Sequence, residues 1–338
     1  MSSLTGAPAA AHSASSRRTV SRGLITVLIA LVALAVLGWA TARSSMSHGA
    51  LLGMLPFASV LAIAALGQTL VVMQGGIDLS IAGTVSLTVV IITHEAYGDN
   101  AKVLPAAALA LAAALAAGVL NGILVGRFRL NAIVATLGTN ALLYAGVLGV
   151  SGGTPRQTTD LMAKVAGGSL LGIPNAVYFA VVATVVTTFL IKKTVAGRRF
   201  EAVGANPLAA WAAGLKVDRF GGGAYVGATL LYWLAGFLLA GIINKPTAFE
   251  GDNYVLASVA AVVLGGTSLL GGRGSLVASA LAGLFLTQIQ QYVLALGETY
   301  AVQTLVQAAA LAIGVALYTI NWKRLRSRQR THAVPAQA

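Results

Sequence analysis

Ten apolar runs alternate with short polar intervals along the 338-residue chain. At about 20 residues per bilayer crossing, they predict helices over residues 24–40, 50–73, 79–96, 104–126, 131–150, 174–193, 222–243, 253–270, 275–296 and 300–322. Two stretches interrupt the pattern. Residues 71–85, VVMQGGIDLSIAGTV, place two glycines, an aspartate and a serine inside an otherwise apolar region, and residues 263–277 read VLGGTSLLGGRGSLV. Backbone that leaves the helix at membrane depth is tolerated only where protein or a water-filled cavity surrounds it. The expected fold is therefore all-α and polytopic, with about ten transmembrane helices and interrupted helices or re-entrant segments near 74–80 and 265–274. These breaks are expected to help shape a pathway.

Composition supports the membrane assignment and removes other classes. The chain is 57% hydrophobic and 9% charged, with a mean hydropathy of +0.83, whereas soluble domains carry about 25% charged residues. With no cysteine, disulfides and thiolate chemistry are excluded, and His12, His48, His94 and His332 fall near span ends or in tails, so no metal site is expected. A GxxxxGK[ST] phosphate loop is also missing. No cofactor is expected on this chain, and its energy must come from another subunit or a gradient.

The formal net charge of +13 arises from basic residues at span ends, where they set orientation and meet anionic lipid head groups. They form no basic stripe with interleaved aromatics, which argues against nucleic acid. With the N-terminus inside, 17 of the 22 Lys and Arg fall on the cytoplasmic side, leaving Arg43, Lys102, Arg156, Lys164 and Lys245 outside. Both termini are then cytoplasmic. This divides the chain into a disordered tail at 1–21, a transmembrane domain at 22–322 with a long inner segment at 194–218, and a basic tail at 323–338. The run at 24–40 exceeds a signal-peptide core of 7–15 residues and is read as a retained first helix. The longest outer loop, about 151–174, is polar and Gly-rich without a helical period; it suits a partner contact, an entrance lid or a plain connector.

Asp78 is the acidic residue set within an apolar stretch. It can cap the helix beginning near Ser80, bind a substrate hydroxyl, or pair with a basic residue, and capping is the commonest role at such a break. Gly75 and Gly76 permit positive φ or close helix approach. Gln68, Asn121, Asn140, Gln288 and Gln290 place neutral amides on spans, suited either to a hydroxylated cargo or to interhelical hydrogen bonds. The second break, with Gly265, Gly266, Gly271, Gly272 and Gly274, is too glycine-rich for a rigid helix, and its Arg273 is placed on the cytoplasmic face. In the inner segment, Asn206 and Pro207 form an N-cap and first helical position, and Gly214 supplies a stop. That short helix is either a docking knob or an interfacial helix anchored by Trp211.

Four blocks resemble the permease subunits of ribose-type ABC sugar importers: GQTLVVMQGGIDLSIAG from Gly67, NGILVGRFRLNAIVATLGT from Asn121, GRRFEAVGANPLAAWAAGLKV from Gly197 and AAVVLGGTSLLGGRGS from Ala260. The resemblance implies a homodimeric pore in the bacterial inner membrane, a cytoplasmic ATPase carrying ATP and Mg, and a periplasmic sugar-binding protein. It assigns Glu201, Gly204, Asn206, Ala209, Ala210 and Gly214 to a coupling loop seated on the ATPase, which favours docking. Branched-chain amino acids or another small polar solute form the alternative cargo. A proton-coupled carrier and a non-transporting scaffold are the alternatives in kind. Asn131 and Ala132 stand where relatives often have prolines, leaving the local helix geometry open.

Overall fold

The structure is a computed structural model that describes residues 22–319. The expected tails at 1–21 and 323–338 lie outside these residues. The helices are α1 (Arg22–Thr41), α2 (His48–Met73), α3 (Ile81–Ala96), α4 (Val103–Asn121), α5 (Ala132–Ser151), α6 (Asp160–Ala166), α7 (Asn175–Lys193), α8 (Val195–Ala205), α9 (Pro207–Ala212), α10 (Val217–Ile242), α11 (Asp252–Leu264), α12 (Leu276–Ala295) and α13 (Tyr300–Thr319). Among the described residues, seven helices are long and apolar enough to cross a membrane, while α3 and α11 are shorter apolar helices. Within lipid the backbone finds no water to bond, so these Ala-, Leu- and Val-rich runs close their hydrogen bonds internally.

α2, α3 and α10 form the centre. α3 is buried along every residue from Ile81 to Thr93 and packs on α4, α5 and α10, while α2 packs on α7, α10, α11 and α12. α1 and α7 lie outside and expose apolar side chains such as Ile29, Val32, Val182 and Phe189, as lipid contact requires. Small residues let the central helices touch. A Cβ on Gly122 would lie 2.8 Å from the Gly222 carbonyl oxygen, and one on Gly118 only 2.2 Å from the Thr229 hydroxyl. Gly118, Gly122 and Gly126 thus form a small-residue seam against α10, continued into a π-helical turn over Gly122–Arg127.

Several local features differ from expectation. The crossing expected at 253–270 stops at Leu264, because Gly266, Gly271 and Gly272 take positive φ and cannot continue a helix. The outer loop contains structure that a periodicity search would miss, since its pieces are short. α6 has seven residues and is capped by Thr159, and β1 (Ser169–Leu170) pairs antiparallel with β2 (Ile173–Pro174). Asn131 resolves the geometry left open by the missing prolines: its side chain caps α5 by accepting from the amides of Ile133 and Val134 at 2.9 and 3.4 Å.

The connection from α10 to α11 is a third interruption. A Cβ on Gly241 would strike the Met162 carbonyl of α6, yet one on Gly251 would strike the Ala82 carbonyl near the start of α3. The chain therefore turns back into the helix bundle after Ile242 before α11 begins.

Candidate functional site

The first break is held by a buried polar cluster. α2 ends at Met73 with Gln74 as its C-cap, and Gly75 follows with φ of +80°. Asp78 has no solvent exposure, and its Oδ1 accepts from the Ser80 amide at 2.9 Å and the Ser80 hydroxyl at 2.6 Å, just before α3. The Asn121 amide donates to the Ser80 Oγ at 2.9 Å, and the Thr139 hydroxyl donates to the Asn121 Oδ1 at 2.6 Å. Thr136 Oγ1 accepts from the Leu79 amide at 3.0 Å. With its amide oriented to satisfy its neighbours, Gln68 donates to the Asp78 carbonyl at 3.1 Å and accepts from the Asp78 amide at 3.2 Å. Side chains from α2, α4 and α5, with Ser80 at the N-cap of α3, thereby fix a non-helical turn from its buried side.

Two polar atoms of this cluster are left over. Asp78 Oδ2 and the Tyr225 hydroxyl are buried without a hydrogen-bond partner. A Cβ on Gly76 would lie 2.4 Å from that hydroxyl, so Gly76 makes room for Tyr225. Orphaned groups of this kind are costly, and a second arrangement of the break could satisfy them.

The two breaks meet, and α8 is wedged against both. The Gly272 amide donates to the Met73 carbonyl, the last of α2, at 2.8 Å. A Cβ on Gly204 would stand 2.0 Å from that same carbonyl oxygen, and one on Gly272 would stand 2.5 Å from the Ala205 Cα. A Cβ on Gly271 would meet the Gly204 carbonyl at 2.8 Å. The Gln74 amide also donates to the Phe200 carbonyl at 2.9 Å. Backbone lies on backbone at this junction, and glycine is the residue that allows it.

The outer face of the junction has a different character. Thr194 caps α8 through the Gly197 amide, and Asn206 caps α9 through the Ala209 amide at 3.0 Å. Glu201 pairs with Lys192 at the end of α7. Gly204 and Ala210 face inward, whereas Asn206, Ala209 and Gly214 are exposed. On α9, Leu208 is 80% and Trp211 71% exposed. Beside them opens a cavity of about 1160 Å³ that reaches Gly75, Gly76 and Tyr225 and is bordered by Arg127, Lys216 and Trp211.

Of the residues singled out from sequence, Gln68, Gly76, Asp78 and Asn121 gather at the first break. Gly75, Gly204, Gly271 and Gly272 gather at the junction. Gly265 packs against the start of α12, Gly266 turns with φ of +78°, and Arg273 is exposed. Asn140 accepts from the Gly83 amide at 2.7 Å, one turn into α3. Gln288 stands apart from the cluster, donating to the Met46 sulfur at 3.4 Å, and Gln290 donates to Gln307 at 3.2 Å.

Sequence reasoning placed Ser80 only at the start of a helix and passed over Thr136, Thr139, Tyr225 and Tyr232, the last of which accepts from the Gln68 amide at 2.8 Å. The three hydroxyl residues carried no usable signal, because helical Ser and Thr commonly bond their own backbone. The tyrosines did: they are seven residues apart on one predicted span and so share its face.

A family model described as "branched-chain amino acid transport system / permease component" matches residues 50–315. The chain is 36% identical over 273 residues to the probable ABC transporter permease protein y4mJ of Sinorhizobium fredii, covering 80% of this chain and 81% of that one. It is 33% identical over 303 residues to the ribose import permease protein RbsC of Escherichia coli, covering 85% and 91%. A third relative, the autoinducer 2 import system permease protein LsrC of an Enterobacter species, is 39% identical over 247 residues, covering 70% of each. No solved structure matches. The matched helices, breaks and inner segment place this polytopic chain in the binding-protein-dependent ABC permease family to which that description and these relatives belong.

Proposed function

We propose that this chain is the membrane permease of an ATP-driven importer for a monosaccharide. It sits as a homodimer in the bacterial inner membrane with both termini cytoplasmic. The distribution of basic residues supports that orientation. α8 and α9 then lie on the cytoplasmic side and seat on a separate ATPase that binds ATP and Mg, while this chain binds neither. A periplasmic binding protein delivers the sugar near residues 151–174, where Leu171 at the hairpin tip is 90% exposed.

The observation that carries this reading is the junction. α8 touches the last carbonyl of α2 and the second break through Gly204 and Ala205, so displacement of α8 by the ATPase must move the ends of α2 and α11 or break those contacts. Packed interfaces of this kind switch between discrete arrangements and do not deform continuously. ATP shifts the balance only if the ATPase holds α9 differently in the two states.

Sugar is preferred as cargo because the ribose permease matches over most of both chains; the family description names branched-chain amino acids as the second reading. The test is uptake into proteoliposomes containing this chain, its ATPase and its binding protein. ATP-dependent uptake of labelled D-ribose or another monosaccharide is expected. Uptake of leucine but no sugar would overturn the cargo, and sugar uptake by this chain alone under a pH gradient would overturn the energy source.

A further inference from the structure

We propose that the re-entrant segment 243–252 and the facing side of α5 form the sugar contact inside the membrane, with Asp252, Tyr144 and Phe249 as its recognising side chains. This deepens the importer reading and rests on it.

The depth of the segment follows from its contacts. The Gly251 amide donates to the Ser86 hydroxyl at 2.9 Å. Ser86 lies ten residues before the far end of α3 at Ala96, or about 15 Å at 1.5 Å per residue. From Gly251 onward, α11 runs 13 residues toward the junction, about 20 Å by the same rise. Together the two lengths approximate the ~30 Å hydrocarbon core. Asp252, the first residue of α11, therefore stands near mid-depth.

Its side chain is nevertheless exposed on the surface of the single chain. A carboxylate at that depth does not face lipid; it faces protein or a water-filled path. Stabilising the α11 helix dipole explains an acidic residue in the first turn, but that role needs neither exposure nor the neighbours found here. The Tyr144 hydroxyl donates to Asp252 Oδ1, and the Tyr144 and Phe249 rings meet edge to face at 5.2 Å. Phe249 is 40% exposed. Asn140 lies one turn before Tyr144 on α5. Three elements thus bring together a carboxylate that accepts from a tyrosine hydroxyl, an amide, and two aromatic rings.

That combination suits a neutral polyhydroxylated ring. Hydroxyls need acceptors and donors in a fixed arrangement, while the C–H faces of the ring need apolar cover. A free amino acid would also bring a carboxylate, and none of these side chains is a cation; Lys245 stands at the start of the segment, next to Asn244, whose carbonyl accepts from the Thr158 amide of the outer loop at 2.9 Å. The site also links to the first break, because Asn140 holds the Gly83 amide.

The test uses the native absence of cysteine. Phe249→Cys and, as a lipid-facing control, Val182→Cys are placed singly in the complete importer in proteoliposomes. A charged, water-soluble methanethiosulfonate should label Phe249→Cys in at least one nucleotide state, with D-ribose or D-galactose at high concentration slowing it, and should leave Val182→Cys unlabelled. Asp252→Asn should lower sugar uptake per ATP hydrolysed by about tenfold, as expected for loss of a charge-assisted hydrogen bond. Silence of Phe249→Cys in every state, or labelling that no transported sugar slows, would overturn the site even if Asp252→Asn fails to assemble. If the wild-type importer takes up leucine and no sugar, the importer reading's cargo and this site fall together; if it takes up sugar while Phe249→Cys stays silent, only the site falls.

Discussion

Gly204→Ala is the smallest change that attacks the junction. In a helix Ala is favoured over Gly by about 1 kcal/mol, so on propensity alone α8 should gain. The added Cβ would lie 2.0 Å from the Met73 carbonyl oxygen, whereas ordinary contact begins near 3.4 Å. The obstacle is backbone at the end of a buried helix, so no rotamer can relieve it, and α8 must retreat by about 1.4 Å. Overpacking of this kind costs about 1–3 kcal/mol, which outweighs the propensity gain and leaves a net loss of up to about 2 kcal/mol. Retreat of α8 also lengthens the Gln74 to Phe200 hydrogen bond, now 2.9 Å. Gly223→Ala is the matched control, because a Cβ there meets nothing within 4 Å. Thermal unfolding in detergent should fall for Gly204→Ala and hold or rise for Gly223→Ala. In proteoliposomes with the ATPase and binding protein, Gly204→Ala should hydrolyse ATP with much less sugar moved per ATP. If both variants melt and transport like the wild type, the reasoning fails.

Three further outcomes follow from the same geometry. Asn121→Ala strands the buried Thr139 hydroxyl and removes the donor to Ser80 Oγ, which keeps its bond to Asp78; this should cost about 1–3 kcal/mol and appear as a lower unfolding temperature in detergent. Trp211→Ala, at a side chain 71% exposed, should leave that unfolding temperature unchanged while weakening capture of the ATPase by about 2 kcal/mol, a typical loss for an aromatic anchor, read by titration. Asn206→Ala removes the α9 cap and should cost about 1 kcal/mol of local helix stability. Asn206→Asp keeps the cap, so ATPase binding should separate the two variants.

Much of this architecture was legible in the amino-acid sequence, for a physical reason. Bilayer thickness fixes the length of an apolar run, so each of the ten expected helices has a counterpart among the described elements. Capping chemistry is equally local: Asn206, Pro207 and Gly214 stand where the pattern put them, with Gly214 at φ of +81°. What remained hidden was mutual placement. Gly204 reads only as part of the coupling loop, and Gly271 and Gly272 only as part of a glycine-rich break, until all three are seen packed on the end of α2. The return of residues 243–251 into the bundle was also hidden, because hydropathy records how apolar a segment is and not which way it travels. Gln288 shows the converse, since an amide on a span looked like its neighbours but stands away from the cluster.

The claim that α8 drives the first break can be tested by fixing one to the other. Gln74→Cys and Ala205→Cys would be the only cysteines in the chain, and the Gln74 amide already lies 3.2 Å from the position of a Gly204 Cβ. A short bis-methanethiosulfonate reagent would join them inside the complete importer, and a reductant would release them. ATP-driven sugar uptake should stop when the pair is joined and return on reduction. Uptake at the unlinked rate while the pair is fully joined would contradict the account.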